Sequence, residues 1–351
     1  MCCAFSDNNF TDSVKLPTFE EVQNMVNPEF DVEDGFIEHG IPTFYIKYNQ
    51  ESKQAFLRLV NRLDSLKLIP ILRENHGKII LRIVAKPHVN PSRPIINVVL
   101  FFVTLVTLFI SGYFLAAGDI VGAVSFTIAI MLILGTHEMG HKLLADKHEV
   151  EATYPYFIPG IPFPYGIGTF GAVIRQKALP PNKDALFDIG FTGPITGFII
   201  ATIVTIIGMQ LSTFGPLDPE GGYISVPLLF QVILRIFPPS GVGEALVMHP
   251  VAFAGWVGMV VTMLNLVPSG MFDGGHVARS VMSDKTHKIV SYAGILLLAL
   301  IGWWTMAVLA LFLSASKHPG PLDDVSELSN KRKIGALVLV GVFILSVVPM
   351  V

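Results

Sequence analysis

Apolar runs constrain this chain more than any other feature from Pro94 onward. Ile95 to Ala117, Val121 to Leu144, Ala185 to Leu211, His249 to Val267 and Ile289 to Leu313 approach or exceed the roughly 20 helical residues that cross a hydrocarbon layer of about 30 Å, and Ile334 to Pro349 is a shorter sixth. In such a layer every backbone amide must be satisfied within the chain, which selects helices. The expected fold is therefore an all-α polytopic membrane protein of about six transmembrane helices. Composition agrees, with 52% hydrophobic and 15% charged residues among 351. Leu228 to Phe237 is apolar but too short to cross, and is read as an interfacial or buried segment.

Residues 1–92 are of different material, mixed in charge and with soluble periodicity, and are read as a small α/β soluble domain preceding a membrane domain at 93–351. Thr18 and Glu21 form a capping-box pattern opening a helix through Val26. Ile41 to Tyr48 alternates as a strand, Gln50 to Leu66 has helical apolar spacing, and Leu68 to Arg73 and Lys78 to Val84 read as strands around a turn at 74–77. No constellation in this block points to chemistry. Cys2 and Cys3 are the only cysteines, which excludes a disulfide framework and a cysteine metal site. Met1 to Lys15 lacks the basic start and apolar run of a signal peptide, so insertion is expected to rely on internal spans. A net charge of -3 gives no argument for nucleic acid. The expected partner surface is the lipid bilayer.

Lys and Arg near the span ends suggest an orientation. Lys78, Arg82, Lys86 and Arg93 precede the first span, Lys142, Lys147, Arg175, Lys177 and Lys183 follow the second, and Arg279, Lys285 and Lys288 follow the fourth. Alternating spans put all three groups on one side, which is then cytoplasmic, while the loops with Asp119 and Asp218 to Glu220 face the other way. Lys331, Arg332 and Lys333 conflict with that alternation unless the fifth run makes a hairpin. Tyr154 to Arg175 is apolar yet dense in Pro and Gly, so it cannot be a continuous helix. It is read as a re-entrant loop or β-hairpin, with strand composition over Thr169 to Arg175, or else as an interfacial loop.

The chemistry begins at ILGTHEMGHKLL, Ile133 to Leu144. His137 and His141 are four residues apart, so on a helix they share a face and can share a metal ion. Glu138 is placed to hold and deprotonate a water at that ion without ligating it. This is the HExxH pattern of zinc sites, which needs a third ligand from elsewhere. The strongest candidate is Asp273, in LNLVPSGMFDGG, where Pro268 and Gly270 break an apolar span and let the chain turn back. Asn265, in the same stretch, either donates to a developing oxyanion or caps the broken helix. His276 is read as a supporting or solvated residue, Asp188 and Arg175 as interfacial, and Gly193, Pro194 and Gly197 as permitting close helix packing.

HEMGH at 137–141 followed by NLVPSGMFDG at 265–274 resembles the site-2 protease family of intramembrane zinc metalloproteases, whose second signature is NxxPxxxLDG. GTFGAVI at 168–174 and DIGFTGPITGF at 188–198 extend the resemblance over about 95–285 and look like the archaeal and plastid branch without an inserted PDZ domain. Phe272 stands where the family usually has Leu. The resemblance implies one zinc ion held by His137, His141 and Asp273, Glu138 as general base, Asn265 steadying the oxyanion, and transmembrane segments of other proteins as substrates. Two other readings compete. One is a divalent-cation or proton transporter, against which no internal repeat is evident. The other is a catalytically silent relative that binds membrane proteins, which the intact Glu138 opposes.

Overall fold

The computed structural model describes residues 17–49, 51–87, 91–216, 223–315 and 318–348. The readings of Met1 to Lys15, Cys2, Cys3, Asp218 to Glu220 and Pro349 lie outside the described residues. The chain forms two compact units: Met1–Asn90 with Leu179–Lys183 and Pro319–Leu328, and the remainder.

In the first unit the order is α1 (Phe19–Val26), β1 (Asp31–Glu38), β2 (Ile41–Lys47), α2 (Ser52–Asp64), β3 (Leu68–Asn75) and β4 (Lys78–Ala85). Thr18 and Glu21 exchange the two capping-box hydrogen bonds that start α1. The antiparallel sheet runs β1-β2-β4-β3. The apolar side of α2, Ala55, Phe56, Leu59 and Leu63, is buried in one core with Phe44, Leu72 and Leu81 of the strands. Each such large side chain contributes roughly 1.5–3 kcal/mol of burial. Strand β1 was not foreseen from the sequence, because its acidic residues and Gly35 mask the alternation and a register shift falls between Val32 and Asp34. At the opposite edge, Leu72 N–H donates to the Leu322 carbonyl at 2.9 Å, and Leu322 N–H donates to Pro180 at 2.8 Å. Pro319–Leu328 thus covers the β3 edge, Leu179–Lys183 pairs with that segment in turn, and Leu322 enters the core.

The second unit comprises α3 (Pro94–Leu115), α4 (Ile120–Lys147), β5 (Tyr156–Pro159), β6 (Thr169–Val173), α5 (Lys183–Leu211), β7 (Thr213–Gly215), α6 (Leu228–Ile236), β8 (Ser240–Gly241), β9 (Ala245–Val247), α7 (Pro250–Asn265), α8 (Asp273–Val281), α9 (Asp284–Leu300), α10 (Trp304–Ser314) and α11 (Asn330–Ser346). Among the described residues three helices, α3, α4 and α5, are long and apolar enough to cross a membrane, and α7 and α10 are shorter apolar helices. The middle of α4 is packed in one core with α5 and α7 through Phe126, Ile130, Ile133, Ala201, Val204 and Val257. Small residues bring the backbones together: Gly208 abuts Ala252, and Gly255 abuts Thr205. Outward, α3 exposes Phe102 and Val106 and α5 exposes Ile199 and Ile203. Leu228 to Phe237 is largely α6, which buries Phe230 and Ile233 and exposes Leu228 and Ile236.

The expected fifth span, Ile289 to Leu313, is two helices rather than one. Gly302, at φ 90°, turns the chain between α9 and α10. Trp303 indole N–H donates to the Val348 carbonyl at 2.7 Å, pinning that turn to the C-terminal end of α11. Beyond α10, the His318 ring comes back to 5.5 Å from that of His287 in the first turn of α9. The run is therefore a helical hairpin whose two ends lie together.

Candidate metal centre

Four residues of α4 span one turn, and the site grows from that geometry. His137 and His141 project from one face with ring centroids 4.8 Å apart, and their Nε2 atoms are 3.1 Å apart. Both are buried, as is Glu138, which is 6% exposed. Such groups at the end of an apolar helix are stable only if paired or coordinated.

Asp273 supplies the pairing. After Asn265 ends α7, Pro268 and Gly270 turn the chain, and α8 starts at Asp273. Added Cβ atoms at Gly274 and Gly275 would strike the Leu266 and Gly270 carbonyls, so the two glycines let α8 tuck against the turn and present the carboxylate inward. Asp273 Oδ2 lies 3.1 Å from His137 Nε2 and Oδ1 lies 3.3 Å from His141 Nε2. Among the described residues this is the only group placing three His, Cys, Asp or Glu ligand atoms within 4.8 Å of one another. The two short distances run to different oxygens of the carboxylate, one facing each imidazole, and two imidazoles and a carboxylate gathered in this way are a donor set that suits a divalent metal such as zinc.

Surrounding groups fix the ligand set. Nδ1 of His141 donates to the Ile189 carbonyl at 2.7 Å, which leaves Nε2 free to ligate. Helix α5 crosses close to α4: a Cβ at Gly193 would overlap the His141 imidazole, and one at Gly197 would come within 2.9 Å of His137 Nδ1. These glycines clear space for the imidazoles, a role more specific than general helix packing. Thr196 Oγ1 donates to the Thr136 carbonyl at 3.0 Å, locking the same crossing. Asn265 Nδ2 lies 3.3 Å from His137 Nε2, on the rim of the site.

Glu138 accepts a hydrogen bond from the Ile174 backbone, immediately after β6. Strand β6 is paired on one side with β5, and the pairing continues through the Thr153 N–H to Arg175 carbonyl bond of 3.0 Å. Among the described residues no strand pairs with its other edge, and Phe170 is 70% exposed there. Asp188, expected to be interfacial, instead accepts from Arg332 Nε and Nη2 at 2.7 and 2.6 Å and pairs with His148 at 2.8 Å. It thereby ties the ends of α4, α5 and α11, a link between residues too far apart in sequence to signal each other. Arg175 offers its backbone to the hairpin. His276 faces the backbone of α5 at Gly190 and hydrogen-bonds His318 at 2.8 Å.

A family model described as peptidase family M50 matches residues 125–309. "Probable zinc metalloprotease EGY1, chloroplastic" of Oryza sativa subsp. japonica is 29% identical over 233 residues, 61% of this chain and 38% of its own length. Its namesake in Arabidopsis thaliana is 29% identical over 240 residues, 64% of this chain and 42% of its own. "Probable zinc metalloprotease EGY3, chloroplastic" of Oryza sativa subsp. indica is 28% identical over 272 residues, 68% and 45%. The matches thus span less than half the length of these relatives. No solved structure matches the chain.

Proposed function

Because the chain belongs to peptidase family M50, the site-2 protease family, we propose that it is an intramembrane zinc endopeptidase cutting peptide bonds in or near transmembrane segments of other membrane proteins. The observation that carries the proposal is the convergence of His137, His141 and the Asp273 carboxylate, one ligand atom from each within 4.8 Å of the others, with Glu138 buried beside them.

His137, His141 and Asp273 would hold one zinc ion, which when bound would supply Lewis acidity to the scissile carbonyl and to the attacking water. Glu138 orients that water, takes its proton and passes it to the leaving amine. Asn265, at the site's rim, donates to the carbonyl oxygen as it gains charge, where a preorganised donor is worth about 3 kcal/mol. A substrate helix must unwind before its amides are reachable, since they are otherwise bonded within the helix. The free edge of β6 offers backbone partners to the unwound segment, and its end touches Glu138 through Ile174.

The α9–α10 hairpin supports a topology in which α3, α4, α5, α7 and α11 cross the bilayer and the hairpin enters and leaves on one side. The basic groups near Arg93, Lys147, Lys285 and Lys331 then share a face, which the positive-inside tendency makes cytoplasmic. Residues 1–92 and the opening of the site fall on that face of a multi-pass protein.

The test is purified chain reconstituted in liposomes with candidate single-span proteins. Cleavage that a chelator abolishes and zinc restores is expected; zinc-dependent ion flux without any cleavage would instead identify a transporter.

A further inference from the structure

A second histidine cluster adjoins the first. His276 is on α8 one turn after Asp273, His287 is in the first turn of α9, and His318 follows α10. His276 Nδ1 and His318 Nε2 are 2.8 Å apart, with ring centroids 4.8 Å apart at 78°. The His137 and His141 rings show nearly the same relation, 4.8 Å and 70°. The His287 ring is 5.5 Å from that of His318 at 73°. His287 is 4% exposed, yet its Nε2 has no hydrogen-bond partner, and the Ser291 Oγ beside it also has none. Leaving such atoms buried and unsatisfied is unfavourable, so a ligand is called for. His287, His318, Ser291 and Ser314 line a cavity of about 20 Å³, room for one water or one ion.

We propose that His276, His287 and His318 bind a second divalent transition-metal ion, of the class that imidazoles favour, such as zinc or cobalt. Burial pushes His276 down to about 4 and His318 down to about 2, so both rings are neutral at pH 7, the form that ligates. Two features set the affinity below that of the first site. Arg279, 3% exposed, acts electrostatically on His287 and His318 and opposes a dication. Furthermore, the three nitrogens do not yet converge within 4.8 Å as those of the first triangle do, so His287 must swing inward on binding. The bound ion joins α8, which carries Asp273, to the α9–α10 hairpin, and so braces the first site without taking part in its chemistry.

The test is metal stoichiometry of the intact, tag-free chain in detergent, titrated with Zn²⁺ alone and, separately, Co²⁺. Two ions per chain are expected, the second bound at least tenfold more weakly. His287→Ala and His318→Gln should each abolish the weaker ion and its Co²⁺ absorption while keeping the tight one, whose retention reports a folded chain. His137→Ala should remove the tight ion alone. A wild-type chain that saturates at one Zn²⁺, or a second ion unaffected by both His287→Ala and His318→Gln, overturns the proposal and leaves the cavity to a water.

Discussion

Gly193 and Gly197 show how much of the site depends on what is missing from a side chain. A methyl group at Gly193 occupies the space of the His141 ring, so the imidazole must rotate away from its partners. Gly193→Ala is expected to lower zinc affinity by roughly 10–100-fold, the range seen when groups supporting a ligand are disturbed. Equilibrium dialysis against a zinc buffer measures it, and unchanged affinity would remove the positioning role. Asn265→Ala, by contrast, should keep zinc and lower the cleavage rate by about 10²–10³-fold if its amide serves the oxyanion. Loss of metal or of folding without that rate effect would make Asn265 a cap for α7. His137, Glu138 and His141 could be picked out from the sequence because ionisable groups in apolar runs are costly and the two histidines stand one helical turn apart, and Asp273 because it follows a Pro and Gly break in another apolar run. Ile189 could not, since it contributes only a carbonyl that any residue carries, and the glycines' role exists only where α5 crosses α4.

At the scale of elements, the β5–β6 hairpin makes the sharpest demand. Proline at Phe170, Ala172 or Val173 removes a backbone N–H, and at the positions facing the open edge it should cut cleavage at least tenfold with zinc content unchanged. A proline scan that leaves cleavage intact throughout would exclude strand pairing as the means of holding substrate. The α9–α10 turn makes another. Gly302→Val forces a β-branched residue to φ 90° and should cost about 1–3 kcal/mol, read as a lower melting temperature in detergent. Strand composition over 169–175 was readable because β-branched and aromatic residues cluster there, whereas β1 was hidden by acidic residues. The break at Gly302 was hidden differently: a glycine in an apolar run carries no sign of its φ until Trp303 finds the Val348 carbonyl.

Across the whole molecule, the composition shift near residue 92 marks a change of material, but the first unit also recruits Leu179–Lys183 and Pro319–Leu328. Pro319–Leu328 holds the β3 edge and Leu179–Lys183 holds that segment, both through backbone groups that have no sequence signature. Sidedness of the membrane unit is open to cysteine labelling in a chain whose Cys2 and Cys3 are changed to Ser. Lys285→Cys and Lys331→Cys should react from the same side, and Val242→Cys, at a site 97% exposed, only from the other. Opposite labelling of 285 and 331 would rule out the hairpin as a same-side excursion. Zinc peptide hydrolysis by the α4 and α8 residues is the claim on which the rest depends. Its most direct measurement compares wild-type chain with Glu138→Gln, both reconstituted with one single-span substrate and both analysed for bound zinc. Equal zinc with cleavage reduced by about 10²–10⁴-fold in Glu138→Gln is the expected result; equal cleavage by the two would contradict Glu138 as the base.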